Sequence, residues 1–310
     1  MADTFTPGQL TPDTLTKFAY QTFQQSKQYF GFAHKTLSTQ FLNTISNKKR
    51  EEPNRLTPEM LQAIQSRIDL LLEADWADAE AGVYPKEALF DNRWDDFFRY
   101  YPELWIDLPK IWDRATNKRH QDFSDDISTE GYPDYYVQNF HHQTDGYFSE
   151  TSANMYDLQV EVLFNGTAAP MRRRILAPLK QHLMAMPALA GTTAQPRKLL
   201  DIACGTGNSL SLINRAMPDV ALYGVDLSPA YIRKGNENLA NIKGTVPAQL
   251  IQANGEELPF VDEFFEATTS TFLFHELPAQ ARQNVINEAF RVTKPGGVFV
   301  ICDSIQVADT

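Results

Sequence analysis

Leu200-Asp201-Ile202-Ala203-Cys204-Gly205-Thr206-Gly207-Asn208 runs from apolar residues directly into a loop of small ones. The stretch Lys198 to Ala203 has the largely apolar character of a strand buried on both faces of a parallel sheet. Small residues after it let the backbone approach a ligand closely, and a helix following the loop offers free N–H groups to negative atoms. Asp226 closes a second apolar run about twenty residues further on, where a carboxylate accepts both hydroxyls of a ribose. The combination points to an adenosine-type cofactor.

Details of the loop narrow the choice. A dinucleotide fingerprint wants a third glycine three positions after Gly207, where this chain has Leu210. A nucleotide-triphosphate loop needs Gly-Lys-Ser/Thr, whereas Asn208-Ser209 follows Gly207. Both readings are disfavoured. Beyond the loop, strands are expected at Ala221 to Val225, Gln249 to Ile251, Ala267 to Thr271 and Val298 to Cys302. Helical patterns over Leu210 to Ala216, Pro229 to Leu239 and Ala279 to Val292 separate them. This alternation predicts an α/β fold: a Rossmann-like, doubly wound parallel sheet joined to a mainly helical N-terminal region.

At this point the residues resemble the class I S-adenosylmethionine-dependent methyltransferases, in particular the branch acting on quinones, lipids and other small molecules. The resemblance covers Lys198 to about Asp303. Asp201 to Gly207 is similar to the family's first motif, with Ala203 where glycine is commoner, and Tyr223-Gly-Val-Asp-Leu-Ser to the second. Gln252-Ala-Asn-Gly-Glu-Glu-Leu-Pro-Phe resembles the third, with Asn254 in place of the usual aspartate. Phe272-Leu-Phe-His-Glu-Leu-Pro resembles the fourth, and Glu288 to Gly297 the helix and turn before the last strand. By this resemblance Asp201, Ala203, Gly205 and Gly207 shape the loop around the methionine portion of the cofactor. Asp226 and Leu227 would hold the ribose and one adenine face, and Asn254 and Gly255 the adenine edge. Phe272 and His275 would lie near the sulfonium, with His275 the candidate catalytic base. Family members usually continue past the fifth strand to a further helix and hairpin, so the sheet is expected to lack its last strands, with the N-terminal helices guarding its edge.

Three segments are expected: an amphipathic helical stretch over 1–55, a helical, aromatic-rich substrate or lid region over 56–190, and the cofactor domain over 197–310, after a small-residue linker at 187–196. Thr57-Pro58 is an N-cap followed by a first-turn proline, and its helix should run to Gly82. Thr151 to Phe164 and Ala168 to Met186 read as two more helices. The aromatic segment Phe90 to Trp112 reads as packing, and Tyr132 to Ser149 as a substrate wall, with His141 and His142 as further proton acceptors. Residues 15–50 contain no acidic side chain but carry Lys17, Lys27, Lys35, Lys48, Lys49 and Arg50. That asymmetry suits peripheral contact with an anionic membrane, although packing on the protein itself is the preferred reading.

The net charge of -11, from 28 Lys plus Arg against 39 Asp plus Glu, disfavours nucleic acid as a partner. Two cysteines, Cys204 and Cys302, make no disulfide framework and suit a cytoplasm-like compartment. No secretory signal or membrane-spanning run is visible. Six histidines at unsuitable spacings lead to no metal site being expected. The expected activity is methyl transfer from S-adenosyl-L-methionine to a small, apolar or aromatic acceptor. The alternative is a non-catalytic scaffold or regulator that keeps the cofactor fold.

Overall fold

The computed structural model describes residues 11–45, 57–91, 94–186, 196–240 and 247–304. Among these, the N-terminal region contains helices α1 (Pro12–Ile45), α2 (Pro58–Glu80), α3 (Trp94–Asn117), α4 (Glu150–Leu163), α5 (Ala168–Arg173) and α6 (Leu176–Ala185). The remainder alternates strand and helix: β1 (Lys198–Ile202), α7 (Asn208–Ala216), β2 (Ala221–Asp226), α8 (Pro229–Leu239), β3 (Gln249–Gln252), β4 (Phe265–Thr271), α9 (Ala279–Val292) and β5 (Thr293–Cys302). The strands form one sheet in the order β3-β2-β1-β4-β5, every neighbouring pair parallel. Chain order reverses beside β1, which opens a crevice at the carboxyl ends of the strands where such sheets bind ligands.

The two-residue period of a strand divides the core between two layers. Leu199 faces a cluster with Leu179, Leu210, Ile213 and Leu222, whereas Leu200 and Ile202 face one with Val225, Phe265, Val285 and Ala289. The first layer continues through Ile175 and Leu176 to Tyr20, Trp76, Tyr84 and Leu89, so the helical region shares the core of the sheet.

A buried ion pair ties that region together. Arg173 donates to Asp75 through Nε at 2.8 Å and a terminal nitrogen at 2.6 Å, with both side chains fully buried. Tyr20 from α1 and Tyr84 donate hydroxyl bonds to the same carboxylate, at 2.5 and 2.7 Å. A third bond from Arg173 reaches the Ala88 carbonyl at 3.1 Å. The bidentate geometry and the two phenols satisfy the carboxylate in a place where water cannot reach it.

Several boundaries differ from those read in the sequence. Thr57 caps α2 as expected, its hydroxyl accepting from the Met60 N–H at 3.2 Å. The single helix expected over Ala168 to Met186 is broken at Arg174 and Ile175, which lets Arg173 turn toward Asp75. β5 begins at Thr293 rather than Val298 and pairs irregularly, Phe265 with Thr293 and then Ala267 with Val298. Against β5 lie α5 and α6, through His182 bonded to the Gly296 carbonyl at 2.8 Å and the Cys302 thiol directed at the Met171 carbonyl at 3.4 Å. The expected linker lies outside the described residues except for Pro196.

The aromatic segment packs. Tyr100 and Leu104 join Met155 and Leu158, and Tyr101 meets Phe30 at 5.3 Å between ring centres. Lys17 pairs with Glu73, Lys27 with Glu161, and Lys35 donates to the Leu163 carbonyl, so these three cations are engaged by the protein itself. Lys48, Lys49 and Arg50 lie outside the described residues. The outward face of α1 carries Phe18, Tyr29, Phe32 and Phe41. Among the described residues, no helix is long and apolar enough to cross a membrane.

Candidate active site

The crevice beside β1 is a pocket whose floor is made of loops that follow four strands. Ala203 and Gly205 come from the loop after β1, Asp226 and Leu227 from the end of β2, Asn254 and Gly255 from the turn after β3, and Thr271 and Phe272 from the end of β4. Seven of the nine residues expected to bind cofactor therefore meet at one cavity: Ala203, Gly205, Asp226, Leu227, Asn254, Gly255 and Phe272. Asp201 and Gly207 do not line it. Asp201 is buried on β1 and accepts the Thr269 hydroxyl at 2.7 Å, while Gly207 caps α7.

Backbone conformation explains the loop's composition. Gly205 and Gly207 have φ of 54° and 80°, a region L-residues avoid. A side chain at Gly207 would also lie 2.9 Å from the Leu239 methyl group, so this glycine is required for packing α7 against α8. Ala203 has φ of 57° and adopts the left-handed conformation with its methyl group retained. Phe272 has φ of 62°, an outlier for a bulky side chain. Its ring stacks on Phe164 at 5.4 Å, and the Arg172 guanidinium lies 5.2 Å above it.

Asp226 accepts the Gly205 N–H on one oxygen and the Ser228 N–H on the other, both at 2.9 Å. Each oxygen retains a lone pair for a hydroxyl of a ribose. Burial pushes this carboxyl up to about 6, against the lowering effect of those N–H groups. Burial likewise raises Asp201 to about 7, opposed by the Thr269 bond and reinforced by the nearby charge of Asp226. Asn254 turns its amide oxygen to the Glu256 N–H at 3.0 Å.

The roof comes from the N-terminal region. Tyr135, Tyr136, Phe140 and Tyr147, all within the stretch read as a substrate wall, line the pocket with Tyr156 and Tyr231. Phe140 and Tyr147 stack at 5.0 Å, and Tyr147 meets Tyr231 edge-on at 5.4 Å. The Tyr147 hydroxyl donates to Glu276 at 2.6 Å. Burial raises the pKa of Tyr136, Tyr147 and Tyr231, so the wall is uncharged around neutral pH.

Each of the four floor loops is fastened to this roof by a polar contact. Asp157 of α4 accepts the Thr206 hydroxyl at 2.8 Å and the Asn208 amide at 2.6 Å. The Ser228 hydroxyl donates to the Tyr147 carbonyl at 2.6 Å, and Tyr135 donates to Glu256 at 2.7 Å. After β4, His141 meets Glu276 at 3.1 Å.

His275 stands next to the pocket-lining Glu276 but does not itself line the cavity. Its Nδ1 lies 2.7 Å from Asp303, which raises its pKa chiefly through that hydrogen bond. The His142 ring lies tilted against that of His120, 5.8 Å between ring centres. Reading the sequence did not single out Tyr156, Tyr231, Glu276 or Arg172. Glu276 adjoins His275 in the fourth motif, which was the available signal; the other three carry no local signature.

The residues present suit the cofactor that the fold implies. The Thr271 hydroxyl, buried in the wall, has no hydrogen-bond partner among the described residues. Gly205 leaves space on its pocket side, where an added Cβ meets nothing closer than 3.9 Å. Arg172 is 8% exposed, and no acceptor among the described residues holds its guanidinium.

A glycine loop, a strand-end aspartate and an amide-bearing turn meet at the reversal point of this parallel sheet, the place where such sheets bind nucleotide-type cofactors. Residues 199–297 match the family described as methyltransferase domain. The chain is 32% identical over 111 residues to a demethylmenaquinone methyltransferase of Geobacillus stearothermophilus, a match covering 36% of this chain and 46% of that one. It is 30% identical over 165 residues to a ubiquinone/menaquinone biosynthesis C-methyltransferase of Bartonella bacilliformis, covering 53% and 58%. Among solved structures, a Pyrococcus horikoshii protein matches with 27% identity and a TM-score of 0.34, over 42% of this chain and 52% of that one. The chain spans about half the length of the curated relatives it matches.

Proposed function

We infer that this protein transfers a methyl group from S-adenosylmethionine to a small, apolar or aromatic acceptor by direct displacement. The observation that carries the reading is the aromatic roof, Tyr136, Phe140, Tyr147 and Tyr156, closed with Tyr231 of α8 over the cofactor loops. Relatives named for quinone precursors point to acceptors of the same flat, apolar kind.

The cofactor supplies a methyl group made electrophilic by a sulfonium. Asp226 would accept the ribose hydroxyls, Asn254 and Gly255 would meet the adenine edge, and Gly205 would give the methionine portion backbone access. The Arg172 guanidinium suits its carboxylate. Aromatic faces favour a neighbouring cation and exclude water, while the roof aligns an acceptor for in-line attack. With Nδ1–H donated to Asp303, His275 keeps Nε2 free to take a proton, directly or through Glu276.

Calorimetric titration with S-adenosylhomocysteine, with NAD for comparison and Asp226→Ala as control, tests the cofactor half. Tight binding lost in the variant is expected; a folded chain that binds neither ligand would favour the scaffold alternative. Screening phenols and quinones for methylation tests the other half. His275→Ala should lower turnover while leaving cofactor affinity in place, and unchanged turnover removes it from the chemistry.

A second reading concerns location. The exposed Phe18, Tyr29, Phe32 and Phe41 on α1 favour peripheral membrane contact through residues 15–50, and the engagement of Lys17, Lys27 and Lys35 within the protein argues against it. Co-sedimentation with anionic vesicles decides between them.

A further inference from the structure

His141 meets the adjacent pair His275 and Glu276, more than 130 positions further along the chain, at the rim of the pocket. His141 lies in a short 3-10 turn of the roof loop, and His275 and Glu276 in another directly after β4. The His141 Nε2 is 3.1 Å from Glu276 Oε1, the His275 Nε2 is 3.7 Å from the same oxygen, and one donor atom from each residue falls within 4.8 Å of the others. Bonds of about 2.0–2.1 Å at tetrahedral angles place metal donors about 3.3 Å apart, which these separations approach. The side chain of His141 is 48% exposed, so its ring is free to move onto a bound ion.

The surroundings prepare the donors. Asp303 takes the Nδ1–H of His275 at 2.7 Å, which leaves the lone pair on Nε2 and orients the ring, the usual arrangement behind a metal-bound imidazole. Asp303 also accepts the Phe274 N–H at 2.6 Å, which fixes the carboxylate. On the roof side, Arg114 holds the His142 carbonyl at 3.0 Å, and His141 and His142 both keep left-handed backbone conformations, φ 53° and 60°. The Tyr147 phenol bonded to Glu276 steadies the third donor from within the pocket.

The geometry points to a divalent transition-metal site formed by His141, His275 and Glu276, with Asp303 behind it, that pins the roof loop to the loop after β4. Two imidazoles and one carboxylate without thiolate suit Zn2+, while Mg2+ and Ca2+ prefer oxygen donors alone. Three protein ligands leave a coordination position for water or for an oxygen of a pocket ligand. Neutral imidazoles bind the ion through their lone pairs, so a histidine that starts as imidazolium releases one proton. The site goes beyond methyl transfer, and while an ion is bound the His275 Nε2 lone pair is not available as the base proposed above.

The test uses the full chain dialysed against chelator. Zn2+ alone is titrated by calorimetry, and Co2+ alone by its visible absorption. Saturable binding of one ion per chain is expected, with d–d bands that disappear on adding Zn2+. His141→Ala and Glu276→Gln should each weaken binding at least tenfold, and Asp303→Asn, behind the ligands, by about 10–100-fold. Far-UV circular dichroism checks folding, and exposed His141 makes its variant the one least tied to folding. Absence of saturable binding, or wild-type affinity in His141→Ala and Glu276→Gln, overturns the site. S-adenosylhomocysteine titrated into the same preparations separates failure of the metal site from failure of the cofactor reading.

Discussion

Asp201 and Asp226 are two carboxylates, held close to the same loop, whose environments raise them to about 7 and about 6. Only Asp226 reaches the pocket; Asp201 faces Thr269 inside the sheet. A carboxyl whose folded value lies above its ordinary value of 3.8 binds its proton more tightly in the native state, so unfolding between about pH 4 and 7 releases a proton. Stability conferred by protonated Asp201 is therefore present at low pH and lost as pH rises through about 7. Asp201→Asn keeps an acceptor for the Thr269 hydroxyl and removes the buried charge. Urea unfolding should find this variant more stable than the parent at pH 8, with the difference shrinking toward pH 4. An equal loss at both values would mean that the aspartate is needed for geometry rather than tolerated as a charge. At this scale the motif residues were legible because loop conformation is local: glycine at positive φ and an aspartate closing a strand announce themselves within a few positions. Tyr231 was not, since its side chain has no local reason to face a ligand.

Helix α4 shows how an element outside the cofactor domain prepares its loop. Ser149 caps it, accepting the Ser152 N–H at 3.1 Å, and Asp157 two turns later grips Thr206 and Asn208. The loop thus has its conformation before a ligand arrives, which lowers the ordering cost of binding. Asp157→Ala should weaken S-adenosylhomocysteine binding by about 5–30-fold, the equivalent of roughly 1–2 kcal/mol for charge-assisted bonds, with little change in urea midpoint. Affinity equal to the parent's would show that α7 holds the loop without help. The break between α5 and α6 does have a local signal, since Pro178 has no N–H to give the Arg174 carbonyl, and Arg173 at the end of α5 is held by the buried Asp75. β5 was read too short because Lys294-Pro295-Gly296-Gly297 has turn composition, yet the chain there runs beside β4 in a shifted register.

On the scale of the whole molecule, the helical region is both the foundation and the roof of the site. The Asp75–Arg173 pair with Tyr20 and Tyr84 joins α1, α2 and α5 beneath the first core layer. Asp75→Ala leaves a buried guanidinium and the Tyr20 phenol without the carboxylate, while Tyr84 keeps the residue 75 carbonyl, and should destabilise the protein by about 3–5 kcal/mol, read from urea denaturation monitored by circular dichroism. If the loss is below about 1 kcal/mol, water reaches the pair and the network is not the clamp described.

The sequence by itself determined the parallel sheet, the cofactor loop and most of the pocket floor, because strand period, glycine placement and strand-end carboxylates are short-range properties of the chain. Only the tertiary structure decided what covers that floor. Tyr136, Phe140 and Tyr147 became a roof, Asp157 a brace and His141 a neighbour of Glu276 through contacts spanning tens of residues or more than 130. Such pairings are set by how the helices pack against the sheet, and no periodicity in the chain encodes them.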